Sequence, residues 1–297
     1  MKLKFHTLDV FTNHRFSGNP LAVVLDADQL STAQMQMITK EFNLSETTFV
    51  LKPENPLHTA KMRIFYPGGE MSFAGHPTLG TAVLLAELYK LDEVKFELKA
   101  GLTIVKILKT ADQYSGIFTA PIVPFPVSWP LPQLEEIAHA LGLSSDEIGF
   151  DGHAPIILEG GPRFFYVPVK SRKALETSAI REPFWSTLLT SLHGVDAAYI
   201  YTRSHEKEGW DFRARMYAPS GGIPEDPATG SATALLAAQL LISESLQDGT
   251  RQWHLLQGVE MGRPSNLRLE ADISLGKLKA VRVGGNAVRL MSGEIEI

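Results

Sequence analysis

His76-Pro77-Thr78-Leu79-Gly80-Thr81-Ala82 and Asp226-Pro227-Ala228-Thr229-Gly230-Ser231-Ala232 are two versions of one phrase, 150 positions apart in a chain of 297 residues. Each runs on into an uncharged apolar stretch, Val83-Leu84-Leu85-Ala86 in the first and Ala234-Leu235-Leu236-Ala237-Ala238 in the second. A polar cap, a proline, small residues and then an apolar run mark a helix N-terminus, with His76 and Asp226 at matching cap positions. Working outward, Glu46-Thr47-Thr48-Phe49-Val50 matches Asp196-Ala197-Ala198-Tyr199-Ile200 at the same offset. Arg63-Ile64-Phe65-Tyr66-Pro67 matches Arg215-Met216-Tyr217-Ala218-Pro219 at an offset of 152. Three blocks in one order at nearly constant spacing indicate a duplication, and so long a period means two similar domains rather than a solenoid. Two equivalent helix starts would offer paired clusters of amide donors to an anion, with the site between the halves.

Around these phrases the chain reads as short strands. Met62, Ile64 and Tyr66 alternate onto one face, as do Thr103, Val105 and Ile107, and Leu267, Leu269, Ala271 and Ile273. Period-two runs bounded by Gly, Pro and Asp are half-buried strands. Denser runs, Leu21 to Leu25, Phe164 to Val169 and Ala197 to Tyr201, read as strands covered on both faces. Thr78–Ala86 and Ser231–Ile242 carry no charge at all, and a helix apolar on every side must be enclosed by protein. The expected fold is therefore α+β, with two pseudo-symmetric barrel-like β domains each wrapped around a central helix. Peripheral amphipathic helices are expected at 32–42, capped by Ser31 with Gln34 three residues on, at 132–141 and at 183–192. Three prolines between Thr119 and Pro126 argue against a sheet ladder there and mark the boundary. This puts the first domain at 1–118, completed by a C-terminal strand at 286–297, and the second at 119–285.

Bulk composition narrows the function classes. Hydrophobic residues make up 44% and charged residues 21%, as in a soluble globular chain. A net charge of −5 gives no electrostatic reason to expect nucleic acid or an anionic membrane as partner, though a small anionic ligand is compatible with it. With no cysteine, disulfides, thiolate nucleophiles and cysteine-based zinc sites are excluded, and a cytoplasmic location is expected. The longest apolar stretch, Ser231 to Ile242, is too short to span a bilayer. The nine histidines show no paired ligand spacing, so no metal site is expected. His205-Glu206 lacks the second histidine of a metalloprotease helix, and Gly75-x-x-x-x-Gly80-Thr81 lacks the lysine of a phosphate loop.

The candidate chemistry is carboxylic and polar. Glu46 precedes a strand-like run, where burial would suit it to general acid–base work; an exposed loop carboxylate is the ordinary alternative. Asp226 as a helix cap is ordinary, whereas histidine is a poorer cap, which turns His76 towards a ligand. Ser231 and Thr81 offer hydroxyls either to a bound carboxylate or to backbone groups. Gly75, Gly80 and Gly230 permit close backbone approach to a ligand, or simply the turn that a tight helix start needs.

Five blocks in order, Phe16-Ser17-Gly18-Asn19-Pro20, Asn43-Leu44-Ser45-Glu46-Thr47-Thr48-Phe49-Val50, Phe73-Ala74-Gly75-His76-Pro77, Glu225 to Ala232 and Leu256 to Pro264, resemble the PhzF family of phenazine-biosynthesis isomerase-like proteins. That family is itself similar in fold to diaminopimelate epimerase. The resemblance implies Glu46 as the catalytic acid and base, with His76, Asp226, Ser231, Gly75, Gly230 and Asn19 binding substrate. It implies no metal, nucleotide or flavin, a small carboxylated metabolite as partner, and a homodimer. The family reaction it implies is isomerisation of trans-2,3-dihydro-3-hydroxyanthranilate, in which a proton leaves one ring carbon and returns to another. Two other readings stay open: an amino-acid epimerase or racemase working without thiols, through Glu46 with His76 or Asp226, and a metabolite-binding protein without turnover. Asp196, the apparent repeat partner of Glu46, is a weaker second base. Gly69-Glu70-Met71-Ser72 and Val283-Gly284-Gly285-Asn286-Ala287 depart from the phenazine enzyme and bear on the substrate.

Overall fold

A helix with no polar side can exist in water only inside something, and helix α2 (Gly75–Tyr89) is inside a ring of strands. In this computed structural model every residue is described except Ala111, Asp112, His193, Asp196 and 205–208. Asp196 and the pair His205-Glu206, both weighed above, thus lie outside the described residues. The chain divides into two compact units, the first comprising Met1–Thr119, Gly262–Asn266 and Val283–Ile297, the second Ala120–Met261 and Leu267–Arg282. Gly262–Asn266 groups with the first unit although it lies well inside the second half of the sequence.

In the first unit the strands are β1 (Lys2–Val10), β2 (Asn19–Val24), β3 (Glu46–Leu51), β4 (Ala60–Tyr66), β5 (Gly69–Met71), β6 (Glu93–Leu98), β7 (Gly101–Lys109) and β8 (Tyr114–Thr119). Pairing runs β1–β2–β3–β4–β6–β7–β8. The long strand β17 (Lys277–Glu296) pairs with both β1 and β8, which closes the barrel. Two neighbours in this ring, β2–β3 and β4–β6, are parallel, and parallel neighbours need a crossover. Helix α1 (Thr32–Phe42) makes the first crossover, and Met35 packs with Val24, Leu30, Phe49 and Phe65 in a separate apolar cluster. Its start is the expected capping box, in which the Gln34 amide donates to Ser31 Oγ at 3.3 Å and the Ser31 amide to Gln34 Oε1 at 2.9 Å. Helix α2 makes the second crossover through the interior. Gly80 lets it do so, since a Cβ there would stand 2.6 Å from Val10 and 2.7 Å from Leu21.

The second unit repeats the plan. Strands β9 (Phe125–Pro126), β10 (Ile156–Glu159), β11 (Arg163–Pro168), β12 (Ala198–Arg203), β13 (Phe212–Ala218) and β15 (Gly249–Gln257) pair in that order, and β14 (Ile223–Asp226) hairpins onto β13. Strand β16 (Ser265–Ser274) carries the strict buried–partly buried alternation expected of Leu267 to Ile273. Again the parallel neighbours β13 and β15 are joined by a buried helix, α6 (Gly230–Ser243). The crossover between β11 and β12 is longer than α1, holding α4 (Arg172–Thr177) and α5 (Phe184–Ser191). These pack with α3 (Leu134–Leu141) around Trp185, Leu141 and Leu175.

Two expectations need correction. The proline-rich segment does join the sheet, through the two-residue strand β9, because its ladder is continued by the Val127 amide to the Ile157 carbonyl at 2.9 Å. A proline at a two-residue edge loses only one donor. Helix α4 is absent from the sequence reading, since six residues are too few to display a helical period; Ser171 caps it, its hydroxyl accepting from the Ala174 amide. Among the described residues no helix is long and apolar enough to cross a membrane.

Candidate active site

The residues singled out above fall into two groups, one in each unit. In the first unit Glu46 is the opening residue of β3, opposite Leu21 of the parallel strand β2, and it is 7% exposed. His76 is the second residue of α2 and is also buried. The strand end and the helix start bring Glu46 Oε2 and His76 Nε2 to 3.2 Å. The exposed-carboxylate alternative for Glu46 is therefore set aside. His76 also hydrogen-bonds the backbone of Pro20, whose only backbone polar group is a carbonyl, so a ring N–H must be the donor. Since Nε2 points at Glu46, that donor is Nδ1. Burial pushes the imidazole down to about 3, partly opposed by the Pro20 bond, so His76 is neutral at physiological pH. A neutral ring protonated on Nδ1 turns a bare, hydrogen-bond-accepting Nε2 towards the carboxyl.

Neighbouring groups complete this corner. Asn19 is fully buried at the start of β2, and its Oδ1 accepts from the Ser45 hydroxyl at 3.4 Å. Ala74 caps α2 without a side-chain bond, so the amides of Gly75 and His76 have no carbonyl one turn earlier to receive them. Pro77 contributes no amide. Thr81 does not point to a ligand: its hydroxyl shares a 2.8 Å bond with Thr48 Oγ1 in the barrel interior. That settles the choice left open for Thr81 in favour of internal pairing.

In the second unit Asp226 ends β14, three residues short of the first residue of α6 counting only those between. The Thr229 hydroxyl donates to Asp226 Oδ2 at 2.5 Å. Gln257, at the end of β15, donates from Nε2 to the Asp226 carbonyl at 2.8 Å and to Thr229 Oγ1 at 3.0 Å, and accepts from the Thr229 amide at 3.2 Å. Gln257 thus fills the acceptor side of the Thr229 hydroxyl and directs its single proton to Asp226. Gly230 and Ser231 open α6, with Thr229 as its cap residue. Beneath this turn the Tyr166 hydroxyl donates to the Ala232 carbonyl, and burial raises both Tyr166 and Tyr199 far above the usual phenol range.

The repeat register differs from the sequence alignment. The two buried helices begin at Gly75 and Gly230, an offset of 155 rather than 150. His76 therefore corresponds to Ser231, and Asp226 corresponds to Met71, since these pair with the equivalent residues Met216 and Ile64. His76 and Asp226 are not matching caps. Likewise Thr48 faces Ile64 and Tyr199 faces the equivalent Met216, so the counterpart of Glu46, two residues earlier, is Ala197 and not Asp196. Gln257 and Thr229 were missed as site-shaping residues; both lie inside quoted motif blocks, which was the available signal. Among the described residues no group of three or more His, Asp or Glu side chains is gathered as a metal would need.

The chain matches the family model described as phenazine biosynthesis-like protein over residues 8–293. It is 40% identical to an uncharacterised isomerase of Mesorhizobium japonicum, over 97% of each chain. It is 38% identical to the trans-2,3-dihydro-3-hydroxyanthranilate isomerase of Pseudomonas chlororaphis, again over 97% of each. The crystal structure of a Bacillus anthracis phenazine biosynthesis protein of the PhzF family superposes with a TM-score of 0.90 at 25% identity, covering all of both chains.

Proposed function

The chain is an isomerase belonging to the phenazine biosynthesis-like (PhzF) family, and we propose that it moves one proton within a small carboxylated cyclic metabolite, with Glu46 as base and then acid. The observation that carries this reading is the buried 3.2 Å contact between Glu46 Oε2 and a neutral His76 Nε2. A carboxylate that takes a proton from carbon must stay beside the substrate until a second carbon is ready. Once protonated, the Glu46 carboxyl donates to the bare Nε2, and this bond holds the carboxyl beside the substrate while its proton exchanges with solvent. When the carboxyl turns back, it delivers a proton to the ring at the new position. His76 does not itself gain a full charge in this scheme, because burial penalises the imidazolium.

Binding falls to the helix starts. The Gly75 and His76 amides, at the positive end of α2, receive a substrate carboxylate. Asn19 supplies an amide to a ring substituent. In the same reading Asp226, Ser231 and Gly230 bind the substrate's amine and remaining polar groups, Asp226 as an acceptor oriented by Thr229. Taken unit by unit, the amides suit an anionic group and Asp226 suits a cationic or hydrogen-bond-donating group. Trans-2,3-dihydro-3-hydroxyanthranilate, the compound that names the Pseudomonas chlororaphis relative, has both.

The test is to incubate the protein with that compound in D2O and follow the product by absorbance and mass. Isomerised product carrying deuterium at one ring carbon is expected. Recovery of unchanged substrate without deuterium would contradict the proposal.

A further inference from the structure

The motif Gly262-Arg263-Pro264 has no role in the chemistry above, yet it packs against the other unexplained block, Phe16 to Pro20. Arg263 Nε donates to the Gly18 carbonyl at 2.7 Å, and its Nη2 to the Ser17 carbonyl at 2.9 Å and to Asp9 Oδ1 at 2.6 Å. The other oxygen of fully buried Asp9 accepts from the Phe16 amide at 2.7 Å. Ser17 Oγ and the Gly18 amide both donate to the Pro264 carbonyl, at 2.6 and 3.1 Å. Gly18 sits at φ +66°, and a Cβ there would stand 2.3 Å from the Val10 carbonyl, so the loop passes as close to β1 as a backbone can.

These contacts converge on one carbonyl. Asp9 of β1 is the cross-strand partner of Pro20 of β2. Proline has no amide with which to anchor itself to a neighbouring strand. Its place is set by the ladder pairing of Asn19 with Val10 and, just before that, by the Ser17 and Gly18 carbonyls that the guanidinium grips. A guanidinium presents several N–H groups in a fixed planar fork and so holds two carbonyls and a carboxylate in one geometry, which an ammonium cannot do. The Pro20 carbonyl in turn takes the ring proton of His76.

We infer that Arg263 is a positioning residue for the proton transfer: through Ser17 and Gly18 it holds the Pro20 carbonyl against His76, and so fixes the tautomer that turns a bare Nε2 towards Glu46. Arg263 touches neither catalytic side chain in this scheme. Its effect on turnover rests on the isomerase reading, but its effect on the imidazole does not.

The experiment is nitrogen NMR of the protein labelled at histidine, which reports which ring nitrogen of His76 carries the proton. The native protein is expected to show one tautomer, protonated on Nδ1. In Arg263→Gln the preference for Nδ1 over Nε2 is expected to fall about tenfold, the weight of roughly one hydrogen bond. Arg263→Lys, with one compact donor in place of a fork, is expected to lie between. Turnover should follow the tautomer through kcat, with KM changed less than about twofold because no binding group is lost. A folded Arg263→Gln protein whose His76 keeps a single Nδ1 tautomer would overturn the inference. Should that variant fail to fold, Asp9→Asn carries the same measurement: a smaller shift in the same direction supports the inference, and an unchanged ring overturns it. Native protein with the expected tautomer but no turnover would sink the isomerase reading alone.

Discussion

The two buried helices begin alike and end up with different neighbours. Helix α2 opens Gly75-His76-Pro77 and α6 opens Gly230-Ser231-Ala232, each after a short strand of the same hairpin. Beside the first start stands Glu46; at the equivalent place in the second unit stands Ala197. Before the second start stands Asp226 with Thr229 and Gln257; at the equivalent place before the first stands Met71. Duplication thus kept the backbone device, amides at a helix start, and divided the side chains between a buried Glu46–His76 pair in one unit and an Asp226–Thr229–Gln257 cluster in the other. The hairpins that deliver the two starts keep their own shared device, a two-bond ion pair: Arg63 to Glu70 at 2.7 and 2.9 Å, and Arg215 to Glu225 at 2.8 and 2.9 Å.

This division can be broken at several points. The largest effect belongs to Glu46→Gln, which keeps shape and hydrogen bonding but cannot take a proton. Its kcat is expected to fall about a thousandfold or more, with folding intact by circular dichroism. Activity within tenfold of native would move the chemistry elsewhere, Asp226 first.

Next comes the pH dependence of stability that His76 imposes. In the unfolded chain the imidazole protonates below its usual 6.5, whereas in the folded protein it stays neutral down to about 3. Its folded value is lowered, so the unfolded state binds the extra proton between these limits. Stability is then complete above pH 6.5 and declines as the pH falls, by about 1.4 kcal/mol per unit at most. Buried His6, also lowered chiefly by burial, adds to the slope in the same sense. Urea unfolding of native protein and His76→Asn between pH 6.5 and 4.5 should show the smaller slope in the variant. Equal slopes would mean that His76 is not held neutral.

The acceptor cluster should respond more weakly and in a different quantity. Thr229→Val removes the donor to Asp226 and leaves a Gln257 N–H without its hydroxyl partner, a cost of about 1–3 kcal/mol in stability. It should raise KM more than it lowers kcat, because in the proposed function Asp226 serves binding. A kcat collapse with unchanged KM would place Asp226 in the proton transfer. The smallest effect is expected in the barrel interior. Thr48→Val alone strands the Thr81 hydroxyl and should cost about 1–2 kcal/mol, whereas replacing both threonines by valine should restore most of it. An additive double variant would show that the pair is not a bonded unit.

Much of this was visible in the amino acids themselves. A stretch without one charge, such as Thr78–Ala86, can only be enclosed, and enclosure on all sides by strands is a barrel. The Ser31–Gln34 start of α1 announced itself through side chains three residues apart. The repeat register did not, because turns vary in length while strands do not. Two residues, 67 and 68, separate β4 from β5, whereas four, 219–222, separate β13 from β14. Those insertions slide Asp226 against His76 in the sequence and hide its true counterpart, Met71. The roles of Gln257 and Arg263 were illegible for another reason. Both act through hydrogen bonds to backbone carbonyls far away in the chain, and a carbonyl has no letter in the sequence.

The measurement closest to the centre of the account compares Glu46→Gln with Asp226→Asn, each saturated with trans-2,3-dihydro-3-hydroxyanthranilate in D2O. Deuterium should enter the ring with Asp226→Asn once binding is forced by concentration, and should not enter with Glu46→Gln. Exchange in Glu46→Gln but not in Asp226→Asn would reverse the assignment of the two units.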